Sequence, residues 1–402
     1  MLNVKELQRS VKTGGETVDF AAEKENPKGQ ETIIESRALK QDAKKIRVLL
    51  MDDHYESYYH SAVAVQYDGK EETYTLESKA FEEGPVVIEC DGSGIVITSL
   101  TRQQGNPTYQ GSIEIRKTEN GLLLINELLV ETYLEAVVPS EMPAFYEEEA
   151  LKAQAVCART YAYKQMENGA LMQYGADVDD SVNYQVYANV APQERTSGAV
   201  KETEGQVIYQ GPELIEAYYF STSSGQTSTN EIWGVKEAAS YLKSVECTYD
   251  SAEVWSNWSV EIPWDILEEY VRGDFNQKAS VLNLQVNKKS QSGAVTEMCV
   301  ITDCGNYELQ GEYKIREFLS PQGMNLIGND GESYQGGYLL PSAYFEMEVQ
   351  PGIGISIKGK GYGHGVGMSQ NAADAMAKLG YTWREIIEYF YKDIEIREYK
   401  DE

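Results

Sequence analysis

The chain has 402 residues, 42% of them apolar and 25% charged, enough for a sizeable core. No run of about 18 apolar residues marks a membrane span. A formal charge of −29, from 35 basic and 64 acidic side chains, argues against phosphate backbones and anionic membranes, so no nucleic-acid partner is expected.

Residues 1–44 are polar, contain Gly14-Gly15 and few large apolar groups, and read as a mobile or loosely attached segment. The opening, Met1 to Glu6, has no apolar run. Either the protein is cytoplasmic, or an export or anchor segment is absent from this chain. From Ile46, short apolar or alternating runs at 46–51, 62–67, 86–89, 95–100 and 112–116 predict strands. Asp68-Gly69 and Asp91-Gly92 supply turns between them, so 45–119 reads as a β-rich N-terminal part. The rest, 120–402, reads as one larger unit with a β-rich inserted region at about 250–350.

Leu151, Ala155, Ala158 and Ala162 recur at steps of four, three and four and predict a helix over 146–168. Glu147 to Glu149 suit its positive end, and Gly169 suits its stop. Strands are expected at 205–210, 215–220, 281–286 and 297–301, with an amphipathic stretch at 264–271. A Gly-rich segment, 359–367, precedes a helix starting near Gln370, and another helix spans 383–391. The fold class is α+β: a mixed, β-rich domain with a long helix beside the active-site cleft.

Five cysteines form no C-x-x-C pair; Cys299 and Cys304 would close a small loop in a secreted protein, and buried, inert thiols are the plainer reading. The three histidines, His54, His60 and His364, are too scattered for a zinc site, and no cofactor is expected. No G-x-S-x-G elbow, zincin motif or phosphate loop occurs.

Four segments carry candidate chemistry. In Val137-Val138-Pro139-Ser140-Glu141-Met142-Pro143, two prolines stiffen the backbone around one acid, as general acid/base work would use. An exposed acid on a turn fits the same spacing. Lys152, Gln154 and Arg159 project from an alanine-rich helix, either across a cleft or into solvent. The tract from Phe220 to Ser228, followed by Glu231 and Trp233, offers hydroxyls and an aromatic face suited to sugars, or forms a linker. The glycines of Gly359 to Gly367 let the backbone approach a neighbouring segment or a ligand and present His364 between two of them. Ser369 is placed to cap the following helix.

These segments together resemble the stage II sporulation protein D and amidase-enhancer (SpoIID/LytB) family. The matching pieces are Tyr133 to Pro143, Leu151 to Val156 with Ala158 to Ala162, Ser221 to Thr227 with Tyr241-Leu242, and Gly363 to Gln370. In order and spacing they cover 120–395. The resemblance implies a lytic transglycosylase that cuts peptidoglycan glycan strands between N-acetylmuramic acid and N-acetylglucosamine. Glu141 falls on the family's catalytic glutamate. Lys152, Gln154, Arg159, Tyr161, Ser221, Ser223, Ser224, His364 and Gln370 are the expected substrate-binding residues. The resemblance also admits a non-catalytic glycan binder that stimulates a cell-wall amidase. Either role implies a place outside the cytoplasm, at the wall or sporulation septum. Some relatives hold zinc with Cys and His after the long helix. Here that segment, Gly175 to Tyr187, has neither, although Gln185 and Tyr187 keep the surrounding pattern. No metal ligand is therefore assigned.

Overall fold

The long helix forms over Glu148–Asn168 and ends on Gly169, whose positive φ of 61° is one that glycine adopts without strain. Its apolar stripe, Leu151, Ala155, Ala158 and Ala162, is fully buried. The rest of the helix is also covered, because its alanines admit neighbours on several sides. This computed structural model describes residues 44–400 apart from 91, 103, 188–189 and 276–277. The polar segment 1–44 thus lies outside the described residues except for Lys44.

Seven helices are described: α1 (Val130–Glu141), α2 (Glu148–Asn168), α3 (Glu194–Glu202), α4 (Trp264–Phe275), α5 (Glu312–Phe318), α6 (Gln370–Lys378) and α7 (Trp383–Phe390). Together with several sheets they make a mixed, β-rich α+β fold. Helix α2 packs against α1, α3, α6, α7 and the strand Gln206–Gln210.

The N-terminal strands make two sheets. One orders Val86–Glu89, Ser112–Lys117, Leu122–Leu129, Lys45–Leu49 and Val178–Asp179, antiparallel except for its last pair. The other orders Lys70–Thr75, Ala62–Tyr67, Ile95–Ile97 and Thr108–Tyr109. Alternation along Ser112–Lys117 turns Ile113 and Ile115 inward. One hydrophobic cluster joins these strands to α1, α2 and α6 and so carries the sheet's rigidity to the site. A separate cluster, with Trp258, Leu267, Val300, Phe318 and Ile357 among its members, holds residues 258–357. All five cysteines are free, Cys299 and Cys304 included.

Two local expectations change. Residues 137–143 are not a stiff turn, because α1 continues through Pro139 to Glu141. Pro139 donates no N–H, yet the turn stays closed: Ser140 Oγ donates to the Ala136 carbonyl at 2.7 Å and Met142 N–H to the Val138 carbonyl at 2.9 Å. Pro143 then stops the helix by holding Met142 extended. The strand expected over 215–220 is interrupted. Glu213–Leu214 pairs with Gln206–Gln210, a tight turn joins Tyr218 N–H to the Glu216 carbonyl, and Tyr219–Phe220 pairs in parallel with Met368–Ser369. The apolar run changes sheets midway, which hydrophobicity alone does not encode.

Candidate active site

Glu141 ends α1 beneath α2 and the Tyr219–Phe220 strand, and only 2% of its surface is exposed. Its Oε1 accepts the Val186 N–H at 2.7 Å and the Tyr219 hydroxyl at 3.2 Å. Oε2 accepts nothing from the described residues. Burial disfavours the charged form and pushes the carboxyl up to about 7, against the smaller opposing pull of the Val186 and Tyr219 donors. The fold thus holds an acid that titrates near neutral pH, with Oε1 committed and Oε2 without a donor among the described residues.

The surrounding shell is built from amides and phenols. Gln370, the first residue of α6, donates through Nε2 to the Glu141 main-chain carbonyl at 3.1 Å and to Gln154 Oε1 at 3.3 Å. Gln154, fully buried on α2, has an Nε2 with no acceptor among the described residues. Gln185 donates to the Tyr219 hydroxyl at 3.1 Å. Helix α6 starts as expected, with Ser369 Oγ accepting the Ala372 N–H at 3.4 Å.

The Gly-rich segment uses its glycines to meet a neighbouring strand. Gly367, at φ 82°, approaches so closely that a Cβ would lie 2.0 Å from the Tyr218 carbonyl oxygen. That approach permits the parallel pairing of Tyr219 with Met368 and so brings Tyr219 under Glu141. His364 accepts the Val366 N–H on Nδ1 at 3.1 Å and bonds the Tyr219 backbone with its other side. Enclosure near Trp233 and Phe220 lowers its pKa well below 6.5, so it is a neutral donor that holds the Tyr219 main chain.

The other expected residues separate. Tyr161 is buried on α2, close enough to Glu141 to feel its charge. Lys152 is taken by Glu148, Glu149 and Glu202 at 2.8, 3.1 and 2.7 Å. Arg159, fully buried, grips Glu131 through Nε at 2.8 Å and Nη2 at 2.7 Å and donates to the Val200 and Gln206 carbonyls. Both cations are thereby engaged away from the Glu141 carboxyl. Ser223 donates its N–H and hydroxyl to Asp250, each at 2.6 Å, and Ser369 adds a third donor at 2.6 Å. The Ser221 carbonyl accepts the Asn371 N–H, while among the described residues the Ser224 hydroxyl donates to the nearby Gln226 carbonyl. The tract is a clasp around Asp250 rather than a linker. Asp250 and Tyr219 stand in no recognisable motif; Tyr219 was hidden in an apolar run.

The segment 175–187 does not fit a zinc ion. Gln185 spends its amide on Ala158, Tyr219 and Tyr133, and the described residues hold no group of three or more His, Cys, Asp or Glu side chains placed for a metal.

Residues 118–209 match the family described as stage II sporulation protein (SpoIID). The chain is 32% identical over 302 residues to stage II sporulation protein D of Bacillus subtilis strain 168, covering 71% of this chain and 79% of that protein. The chain belongs to the stage II sporulation protein D family. Its Bacillus amyloliquefaciens namesake is 29% identical over 336 residues, covering 79% and 88% of the two chains. The amidase enhancer of Bacillus subtilis is 36% identical over 124 residues, 31% of this chain and 16% of that protein. Family membership carries a cell-wall-related role.

Proposed function

We propose that the protein is a peptidoglycan lytic transglycosylase in which Glu141 is general acid and then general base. The observation that carries this reading is the buried carboxyl itself, bonded at Oε1, open at Oε2 and raised to about 7. A proton on Oε2 passes to the glycosidic oxygen between the two sugars as that bond breaks. The carboxylate then takes the proton of the muramyl 6-hydroxyl while its oxygen closes onto C1, leaving a 1,6-anhydromuramyl end. Most glycosidases need two carboxylates, one of them to activate water or attack the sugar. Here the nucleophile is tethered to the substrate, and the proximity advantage of an intramolecular reaction replaces the second acid. A value near 7 keeps both protonation states populated at neutral pH, as a group used in both roles requires.

Gln154, Gln370 and Tyr161, which lie around Glu141, are the residues proposed to meet the glycan. Peptidoglycan strands at the wall or sporulation septum, outside the cytoplasm, are the proposed partner. Among the described residues no helix is long and apolar enough to cross a membrane. The stretch similar to the amidase enhancer favours a second reading, a glycan binder that stimulates a separate cell-wall amidase without cutting. Mass spectrometry of purified glycan strands after digestion separates the two. Wild type should release anhydromuramyl ends, and Glu141→Gln should bind glycan but release none. Equal release by both proteins would sink the assignment, and binding by wild type with no new ends would favour the enhancer.

A further inference from the structure

Gln185 is fully buried, and its amide orientation is determined by what surrounds it. The Ala158 carbonyl can only accept, so the atom 3.2 Å from it is the donor Nε2. Nε2 also donates to the Tyr219 hydroxyl oxygen at 3.1 Å, while Oε1 accepts from the Tyr133 hydroxyl at 3.4 Å. With its oxygen already receiving a proton from Gln185, Tyr219 directs its own toward Glu141 Oε1 at 3.2 Å. The Val186 N–H points at that same oxygen. A proton placed on Oε1 would meet two donors and displace at least one of them.

We propose that Gln185 and Tyr219 are positioning residues that keep the exchangeable proton of Glu141 on Oε2. This rests on the lytic transglycosylase reading for its use, since Oε2 is then the oxygen that serves the glycan. The side chains that bear on Glu141 among the described residues are Tyr133, Tyr161 and Tyr219, each pushed well above 10 first by burial and so neutral. No cation of the described residues is among the influences on the carboxyl. Burial raises the carboxyl's pKa, and the Val186 and Tyr219 donors oppose it.

The test follows the Glu141 carboxyl directly by 13C NMR in the whole protein labelled at glutamate, its signal assigned by loss in Glu141→Gln. Tyr219→Phe removes a donor to the charged form and should raise the titration midpoint by on the order of one pH unit. Gln185→Met, close in volume and unable to bond, should raise it by less. The double variant should move no further than Tyr219→Phe alone, because Gln185 acts through Tyr219. Tyr187→Phe, which loses a bond to Asn126 instead, should leave the midpoint in place. An unmoved midpoint in Tyr219→Phe, or independent and additive shifts, would overturn the proposal. If Gln185→Met does not fold, Tyr219→Phe still decides it. The alkaline limb of anhydromuramyl release should move up with the midpoint. Absence of release from wild type would refute the transglycosylase reading while leaving the titration to judge the proton's placement.

Discussion

Glu141→Gln should make the protein more stable, by an amount that grows with pH. Glutamine keeps the carbonyl that faces Val186 and Tyr219, puts an NH2 in place of Oε2 and removes the charge. In the unfolded chain this carboxyl ionises near 4.5 and in the fold near 7. Between those values the unfolded state loses its proton first, so wild-type stability falls as pH rises and the loss is complete above about 7. From pH 5 to pH 8 the difference amounts to about 2.5 kcal/mol, at roughly 1.4 kcal/mol per pH unit. With an unfolding entropy of about 2.1 cal/mol/K per residue, that is a melting shift of about 3 °C if the chain unfolds as one, and more if its two cores melt separately. Calorimetry of both proteins at several pH values reads it. The variant's advantage should widen steadily from pH 5 and level off above pH 7. A constant difference, or one that narrows, would mean that Glu141 is not a raised buried acid, and the one-carboxylate chemistry would lose its physical basis.

Two further outcomes separate architecture from chemistry. Arg159→Ala should cost about 3 kcal/mol or more, because Glu131 and two main-chain carbonyls lose a buried partner. Glycan affinity measured well below the melting temperature should hold, and lost affinity with unchanged melting would return Arg159 to the substrate. Asp250→Ala strands the buried Ser223 N–H and leaves the Ser223 and Ser369 hydroxyls to turn to the Cys247 and Ser221 carbonyls, so it should lower stability by about 1–3 kcal/mol, while Asp250→Asn, which keeps one acceptor, should lose less. Equal melting temperatures for wild type and Asp250→Ala would show that the clasp holds nothing.

Much of this protein is decided within short stretches of its sequence. The 3.6-residue recurrence of Leu151, Ala155 and Ala158 suffices for α2, and Gly169 for its end, since periodicity and a left-handed cap are local properties. The same holds for the α6 start at Ser369 and for the strands at 62–67 and 86–89. Glu141 was legible as a candidate because prolines flank it and its companions follow in order. How that acid is held was not legible. Pro139 lies inside a helix because packing against α2 outweighs one missing hydrogen bond, a balance of contacts far apart in the chain. Lys152 and Arg159 looked free to reach a ligand until folding brought Glu202 and Glu131 to them. Tyr219 meets Glu141, and Gln185 meets Tyr219, only when residues 141, 185 and 219 converge. A carboxyl's ionisation depends on burial and on which donors surround it. The sequence could nominate Glu141, but only the tertiary structure makes it an acid near neutral pH.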